Sequence, residues 1–195
     1  TRPHQYLLMF GALLVPVVGW LGVQAGCYLR QPWEARHLPL GAEIAVVLCG
    51  GLMVASLVRG WWTAALALAI AMVSVALALW GARPAAEDAR PTRLDAGSIL
   101  ALLMVATGVL LTAFTEFAFL RDTFGTRMNT VFKFYYQAWV LLAIGAAFGI
   151  HGVMATWREA TPAGRSVRIA WASVTVLVVV AGFSYTVAAS ASKAN

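Results

Sequence analysis

The stretch Thr115–Trp139, TEFAFLRDTFGTRMNTVFKFYYQAW, decides how this chain is read. It gathers Glu116, Arg121, Asp122, Arg127, Asn129, Lys133, Tyr135, Tyr136 and Gln137 between two long apolar runs. A bilayer strongly disfavours ionisable groups at or near its core, so a dense polar motif between two spans is a functional-site hypothesis by default.

Working outward, the chain is 61% hydrophobic and only 11% charged, whereas soluble domains carry roughly 25% charged residues. The apolar residues come in blocks of about 17 to 21 separated by short polar stretches, the transmembrane pattern. Spans are expected at Tyr6–Ala25, Ala42–Val58, Trp61–Trp80, Ser98–Phe114, Phe134–Met154 and Ile169–Ala189. The fold class is therefore all-α, a polytopic transmembrane helical bundle of about six spans. Residues 1–195 form one domain, embedded in a lipid bilayer.

Details within the spans sharpen this reading. Pro16 sits inside the first span among Gly11, Gly19 and Gly22, which predicts a kink and close helix contacts. The Gly50-Gly51 pair suggests a close approach on the second span. Trp61-Trp62 and Trp80 bracket an Ala-rich third span as an aromatic belt. His151, inside the fifth span, is expected to hydrogen-bond to a neighbouring helix. The loop Gly26–Gly41 mixes Arg30, Trp33, Glu34, Arg36 and His37 and reads as interfacial.

The chain opens at Thr1, and its first span lacks a small-residue cleavage site after a short apolar core. The expectation is a segment of a longer protein, whose remainder or other membrane subunits would be partners. Cys27 and Cys49 lack metal-ligand spacing and read as buried free thiols. The formal net charge is +6. Its basic residues lie in short loops, where positive-inside bias and anionic headgroups account for them without nucleic acid.

Those loops also bear on orientation. Eight Lys and Arg fall in the first, third and fifth loops, against six on the other side. Setting aside the motif's own Arg121, Arg127 and Lys133 leaves three, which places the motif on the extracytoplasmic face of a cytoplasmic membrane.

The motif's chemistry points to an anion. If the chain is helical from Asn129, then Asn129, Lys133 and Gln137 follow i, i+4, i+8 and share one face, with Tyr136 beside it. Arg127 precedes that face, and Gly125 gives the backbone freedom to turn into the helix. A helix N-terminus with Arg and Lys in its first turns suits a phosphate or pyrophosphate. Glu116 and Asp122 are candidates for a general base, for a divalent cation, or for ion pairs with the basic residues. Tyr135 and Tyr136 offer stacking surfaces for a sugar or prenyl chain. The competing reading is a salt-bridged network that anchors a re-entrant loop.

The run Glu116–Trp139, with Arg127-Met128-Asn129-Thr130 and Lys133-Phe134-Tyr135-Tyr136 at its heart, resembles the signature of the YYY family of prokaryotic integral membrane proteins. That resemblance implies kinship with polyprenyl-phosphate-sugar-dependent glycosyltransferases of the GT-C type. It implies sugar transfer from a lipid-linked phosphate donor on the extracytoplasmic face. In such enzymes the catalytic acid lies in an early extracytoplasmic loop; here no acid precedes Tyr6, and Glu34 is the nearest substitute. The resemblance thus implies the C-terminal part of such a protein. By the motif's own chemistry, Asp122 and Glu116 are the candidate catalytic residues. Arg121, Arg127, Asn129, Lys133, Tyr135, Tyr136 and Gln137 would bind the substrate, with a divalent cation as the candidate cofactor. A non-catalytic membrane scaffold or partner-docking subunit is the alternative.

Overall fold

The computed structural model describes residues 2–32, 36–83, 94–118, 128–157 and 161–194. Side chains at 185–189 and 193–194 are outside the description. The helices are α1 (Pro3–Leu29), α2 (Leu40–Val58), α3 (Trp62–Gly81), α4 (Ala96–Phe117), α5 (Met128–Ala155) and α6 (Pro162–Ala194). All six are long and apolar enough to cross a membrane, and no strand occurs among the described residues. The bundle is all-α, as the hydropathy predicts.

Helix limits extend past the expected spans because a helix satisfies its own backbone hydrogen bonds even where charged side chains enter it. α5 begins at Met128 rather than Phe134, which places Asn129, Thr130 and Lys133 on the helix. α4 continues to Phe117 and carries Thr115 and Glu116 with it. Its start is set by Asp95, whose carboxylate accepts from the Ser98 backbone N–H at 3.3 Å and from the Ser98 hydroxyl at 2.5 Å. This is an N-cap that satisfies a donor the helix cannot pair internally. The side-chain bond to Ser98 holds the Asp95 carboxyl below its usual range.

Packing among the helices closes a ring in which α1 touches α3 and α5, and α4 touches the same two. α2 lies against α3, and α6 lies against α1. The core at the centre of the ring includes Phe10, Leu14, Val17, Trp20, Leu68, Leu102, Val105, Val109, Tyr135 and Leu142. α2 buries only Ala42 and Ser56, so its apolar surface faces outward.

Lipid tails are as apolar as leucine, so helices in a membrane gain from close fit rather than from escape from water. The fit here rests on small residues. A Cβ on Gly145 of α5 would stand 2.4 Å from Val105 Cγ2 on α4, and one on Gly108 of α4 would stand 3.1 Å from Leu142 Cγ. One on Gly149 would stand 3.0 Å from Trp20 Cβ on α1. The alanine-rich α3 buries Ala64, Ala65, Ala67, Ala71 and Ala78, in keeping with the tight packing its composition suggests.

Other glycine expectations are corrected. Gly19 does permit a close approach: its missing Cβ leaves room for the Trp171 indole, whose Nε1–H donates to the Val15 carbonyl at 3.0 Å. Gly11, Gly22 and Gly51 face nothing within 4 Å, and Gly50 meets only Met72 Sδ at 3.7 Å. The close contacts fall where two helices present small residues to each other, which the sequence of one helix alone does not disclose. His151 is also corrected. It is exposed and stands 6.5 Å from the Phe148 ring of its own helix, with no hydrogen bond to another helix among the described residues. Cys27 and Cys49 are free thiols, as expected, but their expected burial is corrected: Cys27 is exposed and Cys49 only half-buried.

Candidate functional site at the motif end of the bundle

The first turns of α1, the last turns of α4 and the first turns of α5 meet at one end of the bundle. Tyr6 of α1 is 1% exposed, and its hydroxyl lies 3.0 Å from Thr112 Oγ1 of α4. Thr112 Oγ1 donates its hydrogen to the Val109 carbonyl at 2.7 Å, so Tyr6 is the donor in the pair. Thr115 Oγ1, one turn further, donates to the Thr112 carbonyl at 2.8 Å. Thr130 and Tyr135 of α5 are buried as well. A layer of hydroxyl groups therefore closes this end of the core, and buried hydroxyls at such depth require partners.

An aromatic cluster underlies the layer. The Phe10 ring lies 5.0 Å from Tyr6 and 5.1 Å from Tyr135, the latter edge-on. Tyr6 and Tyr135 also stand edge to face at 6.4 Å, a geometry that aromatic quadrupoles favour. Outside the ring, Phe114 packs on Phe134 at 5.3 Å and Trp61 on Phe117 at 5.6 Å. The Arg59 guanidinium lies 5.5 Å from the Trp61 ring centre, within cation–π range.

The expected site residues divide accordingly. Asn129, Lys133 and Gln137 share one face of α5, as their spacing requires. Asn129 is half-buried, whereas Lys133 and Gln137 are exposed. Tyr136, 61% exposed, lies beside them. Tyr135 is turned the other way and is 3% exposed within the core, so the two adjacent tyrosines occupy opposite environments. Glu116 is half-buried at the end of α4, within electrostatic reach of Tyr6. Arg121, Asp122 and Arg127 lie outside the described residues. Among those described, no group of three or more His, Cys, Asp and Glu side chains comes together to hold a metal ion.

Sequence reasoning gave no site role to Tyr6, Thr112, Thr115 or Thr130, whose side chains are buried at this end of the bundle. Their hydroxyls inside apolar runs were a local signal. The pairing of Tyr6 with Thr112 across 106 residues was not.

The site's two halves come from α4 and α5, joined by the motif itself, and the family comparison covers this same region. The family profile described as Uncharacterized membrane protein (DUF2298) matches residues 1–142. The chain belongs to that family. The DUF2298 match takes in α1 to α4, the whole motif and the first part of α5. The layer built by Tyr6, Thr112, Thr115, Thr130 and Tyr135 thus falls entirely within the family's matched region, while α6 falls beyond it. The protein is accordingly a membrane protein of this family, with its apolar helices in a lipid bilayer. No curated protein and no solved structure matches the chain.

Proposed function

We propose that the motif end binds a lipid-linked phosphate, and that the chain is the membrane-embedded part of a GT-C-like glycosyltransferase that takes a polyprenyl-phosphate sugar. The observation that carries this reading is the split personality of α5's first turns. Thr130, Tyr135 and Ala138 fasten one face to the core, while Lys133, Tyr136 and Gln137 lie exposed on the other. An exposed cation near the head of a span, on a helix anchored by its opposite face, would meet a phosphate near the headgroups. Lys133 would attract the phosphate and Asn129 and Gln137 would orient it. Tyr136 would lie along the sugar or prenyl chain. Arg121 and Arg127 would add charge, and Asp122 and Glu116 would serve as acids or as ligands to a divalent cation. The distribution of Lys and Arg among the loops favours an extracytoplasmic motif in a cytoplasmic membrane.

The test is direct. The Lys133→Gln and Arg127→Gln variants, in nanodiscs, should lose binding of a polyprenyl-phosphate sugar while keeping the wild-type circular dichroism. Unchanged binding in both, or no binding by the wild type, would sink the reading.

A second reading, a scaffold or partner-docking subunit, is favoured by one observation: α2 buries only Ala42 and Ser56 and leaves Leu48, Val54 and Val58 exposed. Co-purification of a stoichiometric membrane partner that contacts α2, without lipid-phosphate binding, would favour it.

A further inference from the structure

At the end of the bundle away from the motif, α1 and α6 border a cavity of about 440 Å³. Its walls include Gly22, Gly26, Cys27, Arg30, Val153 and Arg168. A second cavity of about 550 Å³, lined by Leu14, Ile70 and Val174 among others, continues it toward the middle of the bundle. The two adjoin, since Val18, Gly19, Val167 and Trp171 border both. The groove therefore has one cationic mouth and one apolar tail.

The mouth is built for an anion. Arg30 caps the C-terminus of α1 and Arg168 stands in the second turn of α6, so both arginines belong to the helix ends on this side of the bundle. Among the described residues, no carboxylate lines the cavity. An Arg168 N–H donates to the Thr156 carbonyl, which fixes the side chain and leaves further donors on the same guanidinium. Planar guanidinium groups match phosphate oxygens.

The glycines of α1 supply an independent argument. Glycine inside a helix is destabilising relative to alanine, and Gly19 is explained by the Trp171 indole it admits. A Cβ on Gly22 or Gly26 would meet nothing within 4 Å. Among the described residues these two make room for no side chain, yet they line the groove below Arg30.

We propose that this groove is a binding site for an anionic phospholipid, with the phosphate held by Arg30 and Arg168 and an acyl chain lying along the α1–α6 seam. Charge complementarity and the apolar continuation select a lipid over a second protein helix, which would bring no phosphate to the arginines. The site lies at the opposite end from the motif and does not depend on its function.

The experiment uses the whole chain in phosphatidylcholine nanodiscs doped with phosphatidylglycerol, with bound lipid counted by native mass spectrometry. The wild type should retain one phosphatidylglycerol in preference to phosphatidylcholine. Arg30→Gln should reduce that preference about tenfold, and the double variant with Arg168→Gln should abolish it. Gly22→Leu should fold normally, because its side chain enters open space, and should lose the lipid whatever its headgroup. Inorganic phosphate alone should not bind. No headgroup preference in the wild type, retention of phosphatidylglycerol by Gly22→Leu, phosphate binding without lipid, or a second protein chain cross-linked in the groove would each overturn the proposal.

Discussion

Tyr6 of α1 donates its hydroxyl hydrogen to Thr112 of α4 across 3.0 Å, and Thr112 passes its own hydrogen to the Val109 carbonyl. The pair ties the first helix to the fourth at the motif end. Hydrogen bonds between membrane helices average about 0.6 kcal/mol, with a maximum near 1.7. Tyr6→Phe should therefore cost about 1 kcal/mol, since Thr112 keeps its backbone acceptor. Thr112→Val should cost more, about 1–3 kcal/mol, because it strands the Tyr6 hydroxyl in the core. Steric-trap unfolding in bicelles of both single variants and the double variant would measure the coupling. Equal costs for the two single variants would refute the assigned donor direction.

The approach of α4 to α5 depends on Gly145. A methyl group there would press on Val105 Cγ2 at 2.4 Å, and β-branched Val105 has little rotamer freedom in a helix. Gly145→Ala should destabilise the bundle by about 1–3 kcal/mol, the usual cost of overpacking. Val105→Ala in the same chain should restore much of that loss. Thermal unfolding in detergent of the single and double variants checks it, and no rescue would mean that the contact is misplaced.

Trp171 of α6 packs against Gly19 and donates to Val15 on α1. Gly19→Ala would set its Cβ 1.9 Å from Trp171 Nε1, a contact that only displacement of the ring can relieve. Trp171→Phe would remove only the bond to the Val15 carbonyl. Limited proteolysis near Thr161 should therefore speed up strongly for Gly19→Ala and weakly for Trp171→Phe. Identical rates would show that α6 is not secured at this point.

The Asp95 cap carries a pH dependence. Its bond to Ser98 lowers the carboxyl pKa in the folded protein. The cap's contribution is thus present above the unfolded-state value of about 3.9 and fades as pH falls through the lower folded value. Asp95 is exposed, so solvent screening keeps the effect small. Asp95→Ala should cost about 0.5–2 kcal/mol near neutral pH. Asp95→Asn should keep most of the cap while flattening the loss of stability on acidification. Unfolding midpoints between pH 3 and 7 would separate the two variants.

Much of the fold was legible in hydropathy because a bilayer demands long apolar helices and tolerates little else. The six spans follow from that, and so does the isolation of the polar motif between α4 and α5. The ends of the helices were harder to read, because backbone pairing continues through Asn129, Lys133 and Glu116 whatever their side chains prefer. The i, i+4, i+8 face of α5 was visible in spacing alone. The difference between Tyr135 and Tyr136 was not, since neighbours on a helix diverge by about 100° and only packing tells which one enters the core.

By itself, then, the sequence determined the membrane, the number of spans and the polar stretch Thr115–Trp139 that interrupts them, because burying charge in lipid is costly enough to be written into composition. Tertiary structure alone decided which helices are neighbours, that Tyr6 completes a hydroxyl layer at the motif end, and that Gly22 and Gly26 line a groove while Gly19 closes a contact. Lipid and protein are equally apolar surroundings for a helix face. The choice between them is made by the fit of side chains that lie far apart in the chain.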